Sequence, residues 1–195
     1  MTLSVFDLYL IGINILGFIL YLINEWLYSH TPDKEIDTLV SIASVLGGSL
    51  GIVIAILLFD RKTVKENLMS RVFVSSVLVI QVVIVLMIKG AIGKDITLAF
   101  WDYFGTHKVL LWYLVVMNFV SLIAYALDKI RAIEHASRVR NIILLALAFF
   151  GGSIGAITGM YIFRHKTKKD YYTVGVPLII IMQLVVLFFL MNRKA

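Results

Sequence analysis

Six long apolar stretches, separated by short polar connections, divide the chain: 8–24, 38–59, 72–88, 109–127, 142–163 and 171–192, none containing Asp, Glu, Lys, Arg or His. Each approaches the roughly 20 apolar residues that a helix needs to cross about 30 Å of hydrocarbon. Soluble cores rarely run so far without a charge, so the pattern predicts an all-α integral membrane protein with six transmembrane helices. The stretch between the third and fourth is too polar for a further crossing. There Asp95 reads as an N-cap and Gly105 as a C-terminal stop. Between them Ile96, Ala99, Phe100, Tyr103 and Phe104 share a helical face, which together with Trp101 predicts a short helix in the headgroup layer. Trp26, Tyr28, Trp112, Tyr113, Tyr171 and Tyr172, near the ends of stretches, fit an interfacial aromatic belt.

Sliding the chain along itself by 104 positions aligns GGSLGIVIAILLFDRKTVK (47–65) with GGSIGAITGMYIFRHKTKK (151–169), eight residues being identical. The same offset pairs Tyr9 with Tyr113, Asn14 with Asn118 and Tyr21 with Tyr125. Matches in Gly, Asn, Tyr and Lys-Thr-x-Lys are not what apolar composition produces by chance. The chain is therefore read as a tandem repeat: 1–90, an interfacial linker at 91–107, and 108–195. Three crossings per copy would relate the copies by inversion, a 3+3 arrangement. The alternative lets each Gly-Gly-Ser break its central stretch into a re-entrant hairpin, leaving 2+2 spans.

Basic residues weigh on the choice. Six spans divide Lys and Arg ten against eight, almost no orientation signal. Hairpins divide them thirteen against five, the five being Lys89, Lys94, Lys108, Arg193 and Lys194. Length points the other way. The stretch 38–59 has 22 residues, and a straight helix of that length covers about 33 Å, a full crossing. Six spans are preferred on that ground.

Composition narrows the function. Of 195 residues 61% are hydrophobic and 15% charged, with a formal charge of +6 that suits anionic membrane lipid. The basic residues flank spans and form no separate domain, so nucleic acid is excluded as a partner. A homo-oligomer is compatible with the sequence. Absence of cysteine excludes disulfides and thiol chemistry. Asp7 stands where a signal peptide would be basic, so the first stretch is expected to remain as a span. A multi-pass protein of the cell membrane is expected.

The second copy resembles the bacterial membrane family known as domain of unknown function 1294. The resemblance runs through Asn118, Asp128-Lys129, Ala132, Arg138, Leu144, Gly151-Gly152 with Gly155, and the string RHKTKK from Arg164 to Lys169. Asn141 stands where that family usually has Glu. The first copy looks like a diverged version, with Asn24-Glu25 at the Asp-Lys position and Asp60-Arg61 at the Arg-His position. The resemblance implies membrane location and the three-segment unit, and no chemistry.

Three groups of residues are candidates for a site. The first lies at mid-depth: Asn14 and Asn118 with Gly47, Gly48, Ser49, Gly51, Gly151, Gly152, Ser153, Gly155 and Thr158. These residues either pack helices together or offer polar groups to a small solute. The second is basic: Arg164, His165, Lys166 and Lys169, with Lys62 and Lys65 in the first copy. They either anchor helix ends or hold an anionic headgroup. The third is an interfacial ion pair, Asp128 with Lys129. His30, His107, His135 and His165 show no metal-ligand spacing, so neither metal nor cofactor is expected. No nucleophile or general base is legible, so no enzyme is expected. Two readings remain: a small-solute transporter or facilitator with its path between the copies, or a non-transporting membrane protein that binds anionic lipid or a partner protein.

Overall fold

The computed structural model describes residues 4–30, 37–60, 67–93, 95–135, 137 and 139–194. Lys62 and Lys65 lie outside them. The chain forms two compact units, Met1–Val82 and Val83–Ala195. Described residues are helical throughout both, apart from loops and one isolated bridge between Ile92 and Arg193. Six segments are long and apolar enough to cross a membrane by length and composition.

The first unit holds α1 (Val5–His30), α2 (Asp37–Ala43), α3 (Ser49–Phe59) and most of α4 (Leu68–Ile88). The two ends of its central segment lie close together. Asn24 donates to Asp37 at the start of α2 (2.7 Å), and the Tyr21 hydroxyl donates to Asp60 just past α3 (3.0 Å). Tyr21 and Asn24 sit within one turn of α1, whereas a straight helix across that segment would hold its ends about 33 Å apart. The segment therefore folds back on itself. The fold comes at a tight turn, Ser44–Gly48, where Gly47 has φ 122°. Only glycine adopts that conformation without a steric penalty, and it ends a helix for that reason.

The second unit repeats the design with α6 (Lys108–Ile133), α7 (Asn141–Leu147), a turn at Ala148–Gly152 with Gly151 at φ 114°, and α8 (Ser153–Ile162). Two short elements, α5 (Phe100–Thr106) and α9 (Asp170–Thr173), precede α6 and α10 (Gly175–Asn192). The Val139 amide and the His165 ring both reach the one carboxylate of Asp128, at 2.9 and 2.8 Å. The two ends of the central segment therefore meet. Gly155 abuts Asn118 and Gly159 abuts Tyr125, so α8 runs alongside α6 in the same direction.

Each unit is thus two full-length helices and one re-entrant hairpin. By length and composition all six segments could cross, as expected. The fold-back of each central segment is the geometry of the alternative, the re-entrant hairpin, because 22 apolar residues measure a full crossing only when the helix is unbroken. The linker also differs from expectation. Its helix begins at Phe100, not beside Asp95, and Ala91, Ile92, Gly93 and Thr97 are tied to the end of α10. Gly93 and Lys194 amides donate to Asn192 and Ala91 carbonyls, and the Asn192 amide brackets Thr97 through its N–H (2.7 Å) and its carbonyl (3.1 Å).

Candidate functional site

A hairpin tip inside hydrocarbon exposes the last carbonyls of one helix and the first amides of the next. In the second unit side chains take up these groups. Gln183 donates to the carbonyls of Ala148 (2.7 Å) and Phe149 (3.1 Å), and Tyr113 donates to that of Phe150 (2.5 Å). Asn118 donates to Gly151 (2.9 Å) and to Leu114 in its own helix (2.8 Å), while its oxygen accepts from the Gly155 amide (2.7 Å). Ser153, the first residue of α8, donates to Gln183 (2.5 Å).

The first unit repeats this lattice. Gln81 donates to Ser44 (2.5 Å) and Val45 (3.0 Å) and accepts from Ser49, and Tyr9 donates to Leu46 (2.6 Å). Asn14 donates to Leu10 (2.8 Å) and accepts from the Gly51 amide (2.9 Å). Apart from Thr158, which no bond of this lattice includes, the mid-depth candidates are therefore brought together, each set inside its own unit, the asparagines engaged by backbone and Ser49 and Ser153 by the glutamines. Their glycines permit backbone contact. A methyl group built on Gly51 or Gly155 would land inside the carbonyl of Asn14 or Asn118, and one on Gly48 or Gly152 would press on carbonyls 13 or 117.

Sequence reasoning missed the two glutamines as partners. They are displaced from the offset of 104 because Gln81 follows Ser49 by 32 residues and Gln183 follows Ser153 by only 30. The loop between hairpin and last helix is two residues shorter in the second unit, and that signal was readable.

At the open end of the second hairpin, the mouth, the basic string and Asp128 form one cluster. Asp128 is fully buried. Its Oδ2 receives His165 Nε2 and Lys166 Nζ, each at 2.8 Å, and its Oδ1 receives the Val139 amide. Lys166 also donates to Asn141 (2.8 Å) and the Tyr172 hydroxyl (3.1 Å), and Tyr172 donates to Asn141 (3.2 Å). The expected partner of Asp128, Lys129, is replaced by residues from the returning hairpin. Adjacent helical positions point about 100° apart, so an i, i+1 pair does not meet. Asp128 in turn pairs with the charge of Lys166 and bonds the ring of His165. Arg164 and Lys169 remain exposed, with Arg131, Arg140 and Lys168. Tyr172, expected in an interfacial belt, is fully buried.

The backbone bends sharply to make this contact. Arg164 and Lys166 hold φ of 45° and 64°, which cost a side-chain-bearing residue about 1–3 kcal/mol each. Among the described residues no three His, Asp or Glu side chains converge as a metal site.

The first unit places its charges differently. Asp60, aligned with Arg164, accepts from Tyr21 (3.0 Å) and Asn67 (2.9 Å) and pairs with Arg71 (2.9 Å). Both mouths are thus closed by a largely buried carboxylate, supplied after the hairpin in one unit and before it in the other.

The family model described as Protein of unknown function (DUF1294) matches residues 118–172, from the asparagine at the tip to the tyrosine at the mouth. The chain is also similar to "Uncharacterized protein YsdA" of Bacillus subtilis (strain 168). The two are 33% identical over 75 residues, which cover 38% of this chain and 84% of that protein. No solved structure matches. Motif, family match and relative agree: the chain belongs to the DUF1294 family.

Proposed function

We propose that this chain is a non-transporting membrane protein that binds anionic lipid headgroups at the mouths of its re-entrant hairpins. The observation that carries this reading is the division of polar groups between tip and mouth. A solute path at mid-depth needs donors and acceptors free to serve a solute. The asparagines and glutamines at both tips instead hold the hairpin backbone, with Ser49 and Ser153 bonded to the glutamines. This is one of the two ways such backbone is tolerated in a bilayer. The other way is a water-lined cavity, which the transporter reading requires.

At the mouth of the second unit the exposed cations Arg131, Arg140, Arg164, Lys168 and Lys169 surround a cluster whose own charges are balanced. Each basic residue near an anionic surface contributes about 1 kcal/mol. The division of thirteen against five basic residues, which belongs to the hairpin arrangement, supports mouths that face the cytoplasm.

The test is lipid selection. Protein reconstituted in bilayer discs of mixed phosphatidylglycerol and phosphatidylcholine should retain phosphatidylglycerol in excess after delipidation. The combined variant Arg131→Gln, Arg140→Gln, Lys168→Gln, Lys169→Gln should lose the excess. Equal retention in both proteins, or solute flux across vesicles containing the wild type, would refute the reading.

A further inference from the structure

The two units use matching residues at their tips and unlike residues at their mouths. Tyr9, Asn14, Ser49 and Gln81 do in the first what Tyr113, Asn118, Ser153 and Gln183 do in the second. The segments bordering the mouths have parted in charge. In the first unit, 24–37 and 60–71 hold five Lys or Arg against six Asp or Glu, a net charge of −1. In the second, 128–141 and 164–173 hold eight against three, a net charge of +5. At the offset of 104, Glu25 and Asp60 align with Lys129 and Arg164, which are full reversals, and Leu27, Ile36 and Val64 align with Arg131, Arg140 and Lys168. Asn24, His30 and Arg61 align with Asp128, Glu134 and His165 and run the other way, too few to offset the rest.

Pairing widens the difference. Among the described residues bordering the first mouth, Arg71 is the one Lys or Arg. Its guanidinium is held by Asp60, through the carboxylate (2.9 Å) and the carbonyl (2.6 Å). At the second mouth the buried Asp128 is occupied by Lys166, His165 and the Val139 amide, and Arg131, Arg140, Arg164, Lys168 and Lys169 stand exposed.

We infer that the second mouth alone is a docking surface for anionic lipid, and that the first, built on the same plan, does not bind it. The inference rests on the anionic-headgroup reading above and narrows it to one unit. A headgroup phosphate gains from cations that are accessible and unopposed, and nearby carboxylates within a Debye length cancel that gain. The tips agree because both hairpins need the same backbone support, whereas the mouths are free to differ because they meet different surroundings.

The experiment uses the full chain in bilayer discs of mixed phosphatidylglycerol and phosphatidylcholine, and counts the phosphatidylglycerol retained per chain after delipidation. A first-mouth variant, Lys34→Gln, Arg61→Gln, Lys62→Gln, Lys65→Gln, should keep the wild-type excess. It removes as many cations as the second-mouth variant above, so unequal outcomes cannot come from total charge. The converse variant, Asp33→Ser, Glu35→Val, Ile36→Arg, Val64→Lys, writes residues of the second copy into the first and should raise the excess about twofold. Loss of the excess in the first-mouth variant overturns the inference, and so does an unchanged excess in the converse variant. In either case a wild type that still selects phosphatidylglycerol leaves the function proposed above standing. A wild type without any excess refutes that function, and this inference with it.

Discussion

At the scale of single residues, two contacts decide most. Asp128 is surrounded by three donors in a place closed to water. Replacing it with Asn leaves Lys166 partly buried and without its counter-charge, which typically costs about 3–5 kcal/mol. Lys129→Gln, the change that an ion pair with its neighbour would make equally harmful, should cost under about 0.5 kcal/mol. Thermal unfolding of the two variants checks this; similar losses would contradict the observed pairing.

The glycines offer a second contrast. Gly155→Ala must push the α8 backbone off Asn118, and overpacking of that kind costs about 1–3 kcal/mol or more. Gly12 has nothing within 4 Å of an added methyl, so Gly12→Ala should leave stability unchanged or slightly raised. Residue types at both positions were legible in the sequence, and so was the matching of Asn14 with Asn118. What they touch was not. Asp128, His165 and Lys166 fell into two separate candidate groups, because only the return of the hairpin brings positions 128 and 165 to one carboxylate.

At the scale of elements, the hairpin is the unit that needs explaining. It survives at membrane depth because α6 and α10 supply side chains to its tip. Gln183→Leu removes the donors to Ala148 and Phe149 and the acceptor for Ser153 together. Each buried polar group left unpaired costs about 1–3 kcal/mol, so the variant should unfold at much lower temperature than Leu184→Ala, whose side chain is exposed. Matching thermal stability in the two variants would show that the tip does not depend on these bonds. The possibility of a hairpin was visible in Gly-Gly-Ser and in the loop charges. Apolar length outweighed both, although length cannot register a single glycine at φ near 120°.

At the scale of the molecule, the arrangement fixes which loops share a face. The chain has no cysteine, so single cysteines can be introduced without background. Ser137 precedes the second hairpin and Lys168 follows it, both exposed, while exposed Thr106 lies at the opposite end of α6. Ser137→Cys and Lys168→Cys should react with an impermeant thiol reagent from one side of the membrane, and Thr106→Cys from the other. Opposite labelling of the first two would restore a crossing central helix. The repeat itself was plain in the sequence, whereas the sense in which each copy enters the membrane depended on the central segment.

The depth of the hairpin has a mechanical consequence. From Asp128 to Asn118 is about 15 Å along α6 at 1.5 Å per residue, so the tip stops near the middle of a bilayer about 30 Å thick. One leaflet therefore meets four helical rods of a unit and the other meets two. With a rod diameter of about 10 Å, the difference is on the order of 160 Å² of cross-section per unit. Such a unit is a wedge, and a flat bilayer must spread one leaflet around it more than the other. Such a unit should therefore favour membrane that bows towards the side of its mouth, and that preference would reverse with its orientation.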